Sequence, residues 1–235
     1  MKLTPRLRAI AELVKQDERV GDIGTDHGYI PIWLVETGRC QKVVASDINA
    51  GPTENARRAI SLAGLTDQID ARLGGGLLPY TVGEIDTVII AGMGGLLIAD
   101  ILMERPEMTA SVKRFILQPM QAQAELRKWL HEHDYYIIEE RLAREGNRIY
   151  EILVVEHDAQ NIEDEISYEL GVNMLKTGDD LSIFFMEKKI KQLKAIVGGL
   201  QHSKDDTADV RITALRHKLE RFEEVLKCLL TGEKS

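Results

Sequence analysis

The sequence predicts an α/β fold with a doubly wound, mainly parallel sheet that ends in an antiparallel edge and is followed by an α-helical hairpin. From residue 19 to about residue 155, short apolar runs alternate with helical stretches. Strands separated by helices form parallel sheets with crossover connections. From about residue 158, apolar residues instead recur three and four positions apart, as in amphipathic helices. We therefore predict two domains, residues 1–157 and residues 158–235.

The strand-like and helical segments of the first domain follow one another in a regular order. The predicted strands are 19–24, 42–48, 68–73, 85–94, 112–119, 135–144 and 147–157, and the predicted helices are 29–38, 53–65, 95–104 and 122–133. The last two strands have no helix between them and meet at "REGN", which is typical of a β-hairpin. This hairpin predicts the antiparallel edge of the sheet.

The predicted helical hairpin of the second domain has apolar positions at heptad spacing on both of its helices. The two stripes are Ile183, Met186, Ile190, Leu193, Val197 and Leu200, and then Ile212, Leu215, Leu219, Phe222, Leu226 and Leu229. The polar link "QHSKDDTAD" between them supplies turn and capping residues. The pattern predicts an antiparallel coiled coil. It leaves open a dimer interface, an RNA-gripping arm, a cap on the sheet or simple packing.

Composition and charge restrict the functional classes. No apolar run approaches the roughly 20 residues that span a bilayer. The first residues lack the apolar core and cleavage site of a signal peptide, and the only cysteines, Cys40 and Cys228, fit reduced thiols in the cytoplasm. The net charge of −8 argues mildly against nucleic acid as a partner. It does not exclude one, because RNA binding depends on where the positive charges lie.

The stretch "GDIGTDHGYIP" carries the strongest functional signal. A strand that ends at Asp22, followed by Gly24 and by Gly28 at a helix start, is typical of a nucleotide-binding turn. The spacing differs from the dinucleotide fingerprint G-x-G-x-x-G. An acid two residues before the first glycine would repel a pyrophosphate, whereas it suits a ligand that carries an amino group and a sulfonium charge. This favours S-adenosylmethionine. A metal site formed by Asp22, Asp26 and His27 is a weaker alternative, because its spacing matches no familiar ligand set.

Three further loops follow predicted strands at the carboxyl edge of the sheet. Asp47 ends the second strand, where its carboxylate can accept from the two hydroxyls of a ribose. The glycine loop at 73–79 follows the third strand, and the cluster at 91–95 follows the fourth. Because Asp47 serves NAD equally well, an NAD-dependent oxidoreductase stays an alternative at this point.

Together these residues resemble a known family, the bacterial tRNA adenine-22 N1-methyltransferases. The resemblance rests on "DIGTDHGYIP" (22–31), "IIAGMGG" (89–95), "ILQP" (116–119) and "RIYEILVVE" (148–156), and it covers essentially the whole chain. It implies a Rossmann-like class I methyltransferase sheet with a C-terminal coiled-coil hairpin, S-adenosyl-L-methionine as cofactor and tRNA as substrate. One position departs from the family: its loop after the third strand commonly reads Gly-Asp-Gly, whereas Gly75 here has no carboxylate.

We assign site residues on this basis. The cofactor-binding residues are predicted to be Asp22, Gly24, Gly28, Asp47, Ile48, Gly75, Gly76 and Ala91. Asp26 and the main chain at Gly92 and Met93 are predicted to act on the target adenine. The cluster at 91–95 lacks the "DPPY" or "NPPY" arrangement of N6-adenine enzymes, which argues against N6 chemistry. The predicted tRNA contacts are Arg6, Arg8, Arg57 and Arg58, with the hairpin lysines Lys188, Lys189, Lys191 and Lys194; all of these also fit a solvated surface.

Other functions remain open from the residues alone. A methyltransferase for another RNA, a protein or a small molecule would keep the cofactor site but would need no basic face. A non-catalytic RNA-binding or scaffolding protein would use only the hairpin and would leave the acids of the glycine turn unexplained. We expect a monomer or weak dimer without a metal or a membrane partner.

Overall fold

The computed structural model of the chain describes residues 2–158, 166–171, 179–201 and 208–231. The chain divides into two compact units, residues 1–163 and residues 164–235. In the first unit the strands are β1 (Val20–Ile23), β2 (Val43–Asp47), β3 (Ile69–Leu73), β4 (Thr87–Gly94), β5 (Arg114–Gln121), β6 (Tyr135–Glu145) and β7 (Arg148–His157). Its helices are α1 (Pro5–Ala11), α2 (Tyr29–Glu36), α3 (Ala50–Leu62), α4 (Gly95–Glu104), α5 (Pro106–Ser111) and α6 (Gln123–Glu132).

The seven strands form one sheet in the order β3-β2-β1-β4-β5-β7-β6. The strands β1 to β5 are parallel to one another, whereas β7 is antiparallel to both β5 and β6. The predicted α/β fold with an antiparallel edge is confirmed. The strand order reverses between β1 and β4, and ligands of open α/β sheets bind at the carboxyl ends of strands beside such a reversal.

Helices cover both faces of the sheet, and this explains why the central strands read as continuous apolar runs. In β4, Ile89 packs in one buried cluster with side chains of α1, α2 and α3, while Val88 and Ile90 pack in the other with side chains of α4 and α6. All three are fully buried. A strand buried on both faces has no polar alternation.

Two helices of the first unit went unpredicted because both are short. Helix α1 has seven residues and α5 has six, too few for a periodic apolar pattern. Each nevertheless has a start signal, since proline stands in the first turn of both. The hydroxyl of Thr4 also accepts a hydrogen bond from the amide of Leu7 and caps α1.

The second unit contains both helices of the predicted hairpin, α8 (Asp180–Leu200) and α9 (Ala208–Thr231), after a short helix α7 (Ile166–Leu170). Asp179 caps α8 by accepting from the amide of Ser182 at 2.7 Å. Helices α8 and α9 pack against each other, and Lys194 of α8 pairs with Glu223 of α9 at 2.7 Å. Most of the predicted turn between them, residues 202–207, lies outside the described residues. In the described part of the chain, no helix is long and apolar enough to cross a membrane.

Candidate active site

The glycine turn of residues 24–28 begins where β1 ends, next to the carboxyl ends of β2 and β4. The register pairs Ile23 of β1 with Ser46 of β2 and with Ile90 of β4. The backbone amides of Gly24 and Thr25 both donate to the carbonyl of Ser46, at 2.8 and 3.0 Å. These bonds hold the first half of the turn against β2. The turn is thereby fixed at the reversal of strand order.

Asp22 is a buried carboxylate with no cation beside it. Its exposed fraction is 6%, and none of the described residues places a positive charge within ion-pair distance. Burial raises the pKa of Asp22 from its ordinary 3.8 to about 6; a hydrogen bond from the Thr25 side chain opposes this shift, and the charge of Asp47 adds to it. A buried carboxylate at this place favours a ligand that brings a positive charge.

Gly24 and Gly28 both have left-handed backbone, with φ of +81° and +66°. A Cβ atom on Gly24 would lie 2.5 Å from the Met93 methyl group, so the side chain of Met93 packs directly on this glycine. Gly28 is the N-cap of α2 and has no side chain to bond the first amides of the helix. The unbonded amides of the first turn are donors from which a ligand can accept.

Asp47 and Ile48 leave the end of β2 on the other side of the turn. One oxygen of the Asp47 carboxylate accepts from the Asn49 amide at 2.8 Å, which holds the side chain in place. Ile48 is 71% exposed, an unusual state for an isoleucine. A Cβ on Gly75 would lie 3.0 Å from the end of the Ile48 side chain, so Ile48 and Gly75 adjoin. They form an open apolar surface beside a fixed carboxylate.

Gly76 has a different environment from Gly75. A Cβ on Gly76 would lie 2.5 Å from the Glu104 carboxylate and 3.5 Å from Ile101 of α4. Its φ is +48°. The geometry thus explains this glycine by its turn and by close packing on α4.

The predicted catalytic main chain at residues 91–93 is irregular. The register of β4 against β5 shifts between Ala91 and Met93 and again between Met93 and Gly94. Gly92 has φ of +81° and an exposed backbone. A bulge at a strand end re-aims backbone groups away from the sheet. It brings Met93 onto Gly24 and joins the fourth strand to the glycine turn.

Asp26 stands at the tip of the turn, and its side chain is 66% exposed. Its carboxylate lies 3.2 Å from Nε2 of His27, and the ring of His27 stacks on Tyr29 with 5.1 Å between centroids. Asp26 is therefore available to a large ligand at the mouth of the site. Across the described ranges, no three His, Cys, Asp or Glu side chains are grouped to hold a metal ion.

The four arginines predicted to contact tRNA have different environments. Arg8 pairs with Glu12 at 2.8 Å, and Arg57 lies 3.8 Å from Glu54 and donates to the carbonyl of Ala71. Arg58 is exposed. Arg6 turns inward, and its guanidinium lies 3.7 Å from the position of a Cβ on Gly92.

The hairpin lysines are not all on an open face either. Lys194 pairs with Glu223, Lys189 donates to the carbonyl of Glu169 at 2.5 Å, and Lys191 is exposed. Lys188 is half-buried.

Sequence reasoning missed the residues that support the glycine turn from below. The hydroxyl of Tyr80 lies 2.7 Å from the hydroxyl of Ser46 and 3.3 Å from the carbonyl of Asp22. Tyr80 is 3% exposed, and burial raises its pKa, so its hydroxyl stays protonated. A Cβ on Gly21 would lie 2.9 Å from this ring, which explains the glycine inside β1. No motif links Tyr80 to Gly21, since they meet only in the folded chain.

Comparison with known proteins places the chain among RNA methyltransferases. Residues 3–153 match a family model described as "Methyltransferase domain". The tRNA (adenine(22)-N(1))-methyltransferase of Bacillus subtilis is 36% identical over 173 residues, which is 73% of each chain. The crystal structure of the B. subtilis m1A22 tRNA methyltransferase has a TM-score of 0.86 at 29% identity, over 96% of this chain and 99% of that one.

A second solved structure includes the cofactor. Streptococcus pneumoniae Sp1610, a candidate tRNA (m1A22) methyltransferase in complex with S-adenosyl-L-methionine, has a TM-score of 0.86 at 31% identity. The alignment covers 96% of this chain and all of that one. Together with the family model and the B. subtilis relative, these matches show that the chain belongs to the tRNA (adenine(22)-N(1))-methyltransferase family.

Proposed function

We propose that this protein transfers the methyl group of S-adenosyl-L-methionine to N1 of adenine 22 in tRNA. The observation that carries the proposal is the buried, cation-free carboxylate of Asp22 beneath a glycine turn, in a chain of this family. The site lies at the reversal of strand order, where ligands of α/β sheets bind.

The residues present fit the cofactor. The Asp22 carboxylate suits the ammonium group, which would neutralise it on binding. Asp47 would accept from the ribose hydroxyls, and the apolar surface of Ile48 and Gly75 would hold the adenine ring. Gly24, Gly28 and Ala91 would let the main chain approach the methionine part, with Gly76 supporting the loop. When bound, S-adenosylmethionine supplies a methyl group on a sulfonium centre.

The chain's own contribution to the reaction is positioning. The lone pair of adenine N1 lies in the plane of the ring and is already nucleophilic, so no side chain has to remove a proton first. The target base must be held in line with the methyl group, an arrangement that contributes most of the acceleration in such transfers. The exposed carboxylate of Asp26 and the bulged main chain at Gly92 and Met93 are the groups we assign to this task. A negative charge near the ring also stabilises the cationic product.

The tRNA would bind to the mouth of this site and to basic residues of both units. Arg58 and Lys191 are exposed, whereas Arg8, Arg57 and Lys194 would have to exchange a carboxylate for a phosphate. Removing a residue that contacts one phosphate should reduce the slope of the logarithm of the binding constant against the logarithm of the salt concentration by about one unit. We propose that the protein acts in the cytoplasm as a monomer or weak dimer.

Methyl transfer from labelled S-adenosylmethionine to an unmodified tRNA transcript tests the proposal, with the A22→G transcript as the matched control. We expect label in the first transcript only, recovered as 1-methyladenosine. Label in both transcripts would move the target to another nucleotide. No label with either, although the cofactor binds, would refute the tRNA assignment and leave a methyltransferase for another acceptor.

A further inference from the structure

Arg6 is an inward-facing arginine that no carboxylate of the described residues neutralises. By contrast, the inward-facing Arg72, Arg114 and Arg127 each have a carboxylate oxygen at 2.6 to 2.7 Å. Arg6 is half-buried, and within the described residues no acidic side chain lies within 4.0 Å of its guanidinium. The nearby acid Glu145 accepts instead from the backbone amide of Arg6, at 2.9 Å.

The guanidinium is held by neutral groups that leave its charge in place. Its Nη1 donates to Oε1 of Gln118 at 2.6 Å, and its Cζ lies 5.2 Å from the centroid of the Tyr150 ring. Gln118 is fully buried, and its own amide nitrogen donates to the carbonyl of Pro119 at 3.0 Å. This bond directs the amide oxygen of Gln118 at Arg6. An aromatic face and an amide oxygen orient a cation without neutralising it.

Part of the guanidinium is also left without a hydrogen bond. The Nε of Arg6 is buried and has no acceptor among the described residues. A half-buried charge with an unsatisfied donor costs free energy unless something completes it. Since the described residues provide no anion here, a bound substrate is the natural source.

The position of Arg6 relates it to the active site. Its Nη1 lies 3.7 Å from the place that a Cβ on Gly92 would occupy, and the next residue, Met93, packs on Gly24 of the glycine turn. Gln118 pairs in register with Ala91 at the same edge of the sheet. A cation is unsuited to the target ring, which becomes positive on N1 methylation. It suits an anionic part of either substrate.

We propose that Arg6, oriented by Gln118 and Tyr150, is the anion-binding residue of this active site and binds a carboxylate or phosphodiester group of a bound substrate. Two sources supply that chemistry under the proposed function, on which this inference rests. They are the methionine carboxylate of the cofactor and a phosphate that flanks the target nucleotide.

The first arm of the test measures cofactor binding rather than activity. The dissociation constants of S-adenosylmethionine and of its decarboxylated analogue are compared in wild type and in Arg6→Gln by calorimetry. If the anion is the cofactor carboxylate, wild type prefers the intact cofactor by about 10- to 100-fold, the range for a charge-assisted hydrogen bond. Arg6→Gln then binds the two with equal affinity.

The second arm removes single charges from the RNA. Two tRNAs carry a neutral methylphosphonate at the phosphate on the 5′ or the 3′ side of nucleotide 22, and their binding and methylation are compared with those of unmodified tRNA. If the anion is one of these phosphates, its neutralisation weakens tRNA binding by the wild type by about 10- to 100-fold. It leaves tRNA binding by Arg6→Gln unchanged.

Two further variants keep the test decisive. Gln118→Glu places a carboxylate against Arg6 with almost no change of shape, so it should remove the same preference even if Arg6→Gln folds poorly. Arg39→Gln is the matched control, because Arg39 also bonds neutral oxygens and lies 6.0 Å from an aromatic ring, Trp33, but precedes β2 at the opposite edge of the sheet. Arg39→Gln should prefer the intact cofactor and the unmodified tRNA to the same extent as the wild type.

The outcomes separate the inference from the proposed function. One outcome is that, in both arms, removal of the anion weakens binding equally in wild type, Arg6→Gln and Gln118→Glu. That result would overturn the anion site and leave Arg6 a structural residue. Failure of wild type to methylate the unmodified tRNA would instead overturn the proposed function, while the cofactor arm would still decide whether Arg6 binds a carboxylate.

Discussion

Replacing Asp22 with asparagine should stabilise the free protein at neutral and alkaline pH. The pKa of the buried carboxyl is raised from 3.8 to about 6, so the folded protein holds this proton more tightly than the unfolded chain does. The resulting stability is complete below pH 3.8 and is lost as the pH rises through 6. The shift of roughly two pKa units corresponds to a cost of about 3 kcal/mol at pH 8 and about half of that at pH 5.

The assay is urea unfolding of the cofactor-free protein at both pH values. Any packing change caused by the amide is the same at pH 5 and pH 8. The difference between the two stability changes, about 1 kcal/mol in favour of Asp22→Asn at pH 8, therefore reports the buried charge alone. The exposed Asp67 provides the control Asp67→Asn, which should show no such difference. An Asp22→Asn variant that is equally affected at both pH values would refute the account of Asp22.

Three other predictions concern the same unit. Affinity of wild type for S-adenosylmethionine should fall about tenfold from pH 7 to pH 5 in calorimetry, as Asp22 takes up a proton with a pKa of about 6, and Asp22→Asn should lose this dependence. Gly24→Ala should cost about 1–2 kcal/mol of thermal stability, since its φ is +81°, and should weaken cofactor binding because its methyl displaces Met93. Arg127→Met should cost about 3–5 kcal/mol in urea unfolding, because it removes the cation that pairs with the buried carboxylates of Glu140 and Glu151.

The fold was predictable because its signals are local. The β4 strand is indicated by three successive apolar residues, 88–90, which are buried on both faces of the sheet. Asp22 and Gly28 stand at the end of a strand and the start of a helix, so the glycine turn could be placed from neighbours in sequence. The family resemblance added the substrate, which no local pattern carries.

The parts of the site that were missed depend on contacts between distant residues. Tyr80 supports the turn through Ser46, which precedes it by 34 residues, and Arg6 meets Gln118 across 112 residues. Sequence reasoning grouped Arg6 with Arg8 because they are neighbours on one short segment. The helix of that segment turns Arg6 inward and leaves Arg8 on the surface with Glu12. Such a difference depends on tertiary packing.

We propose that the glycine turn and the buried Asp22 carboxylate support methylation of N1 at adenine 22, and reverse transcription of treated tRNA tests this most directly. A methyl group on N1 occupies the pairing edge of the base and stops the polymerase. After incubation with S-adenosylmethionine, we expect wild type to produce a stop at nucleotide 22 and Asp22→Asn to produce none. Read-through at nucleotide 22 with wild type, or an equal stop with Asp22→Asn, would contradict the account.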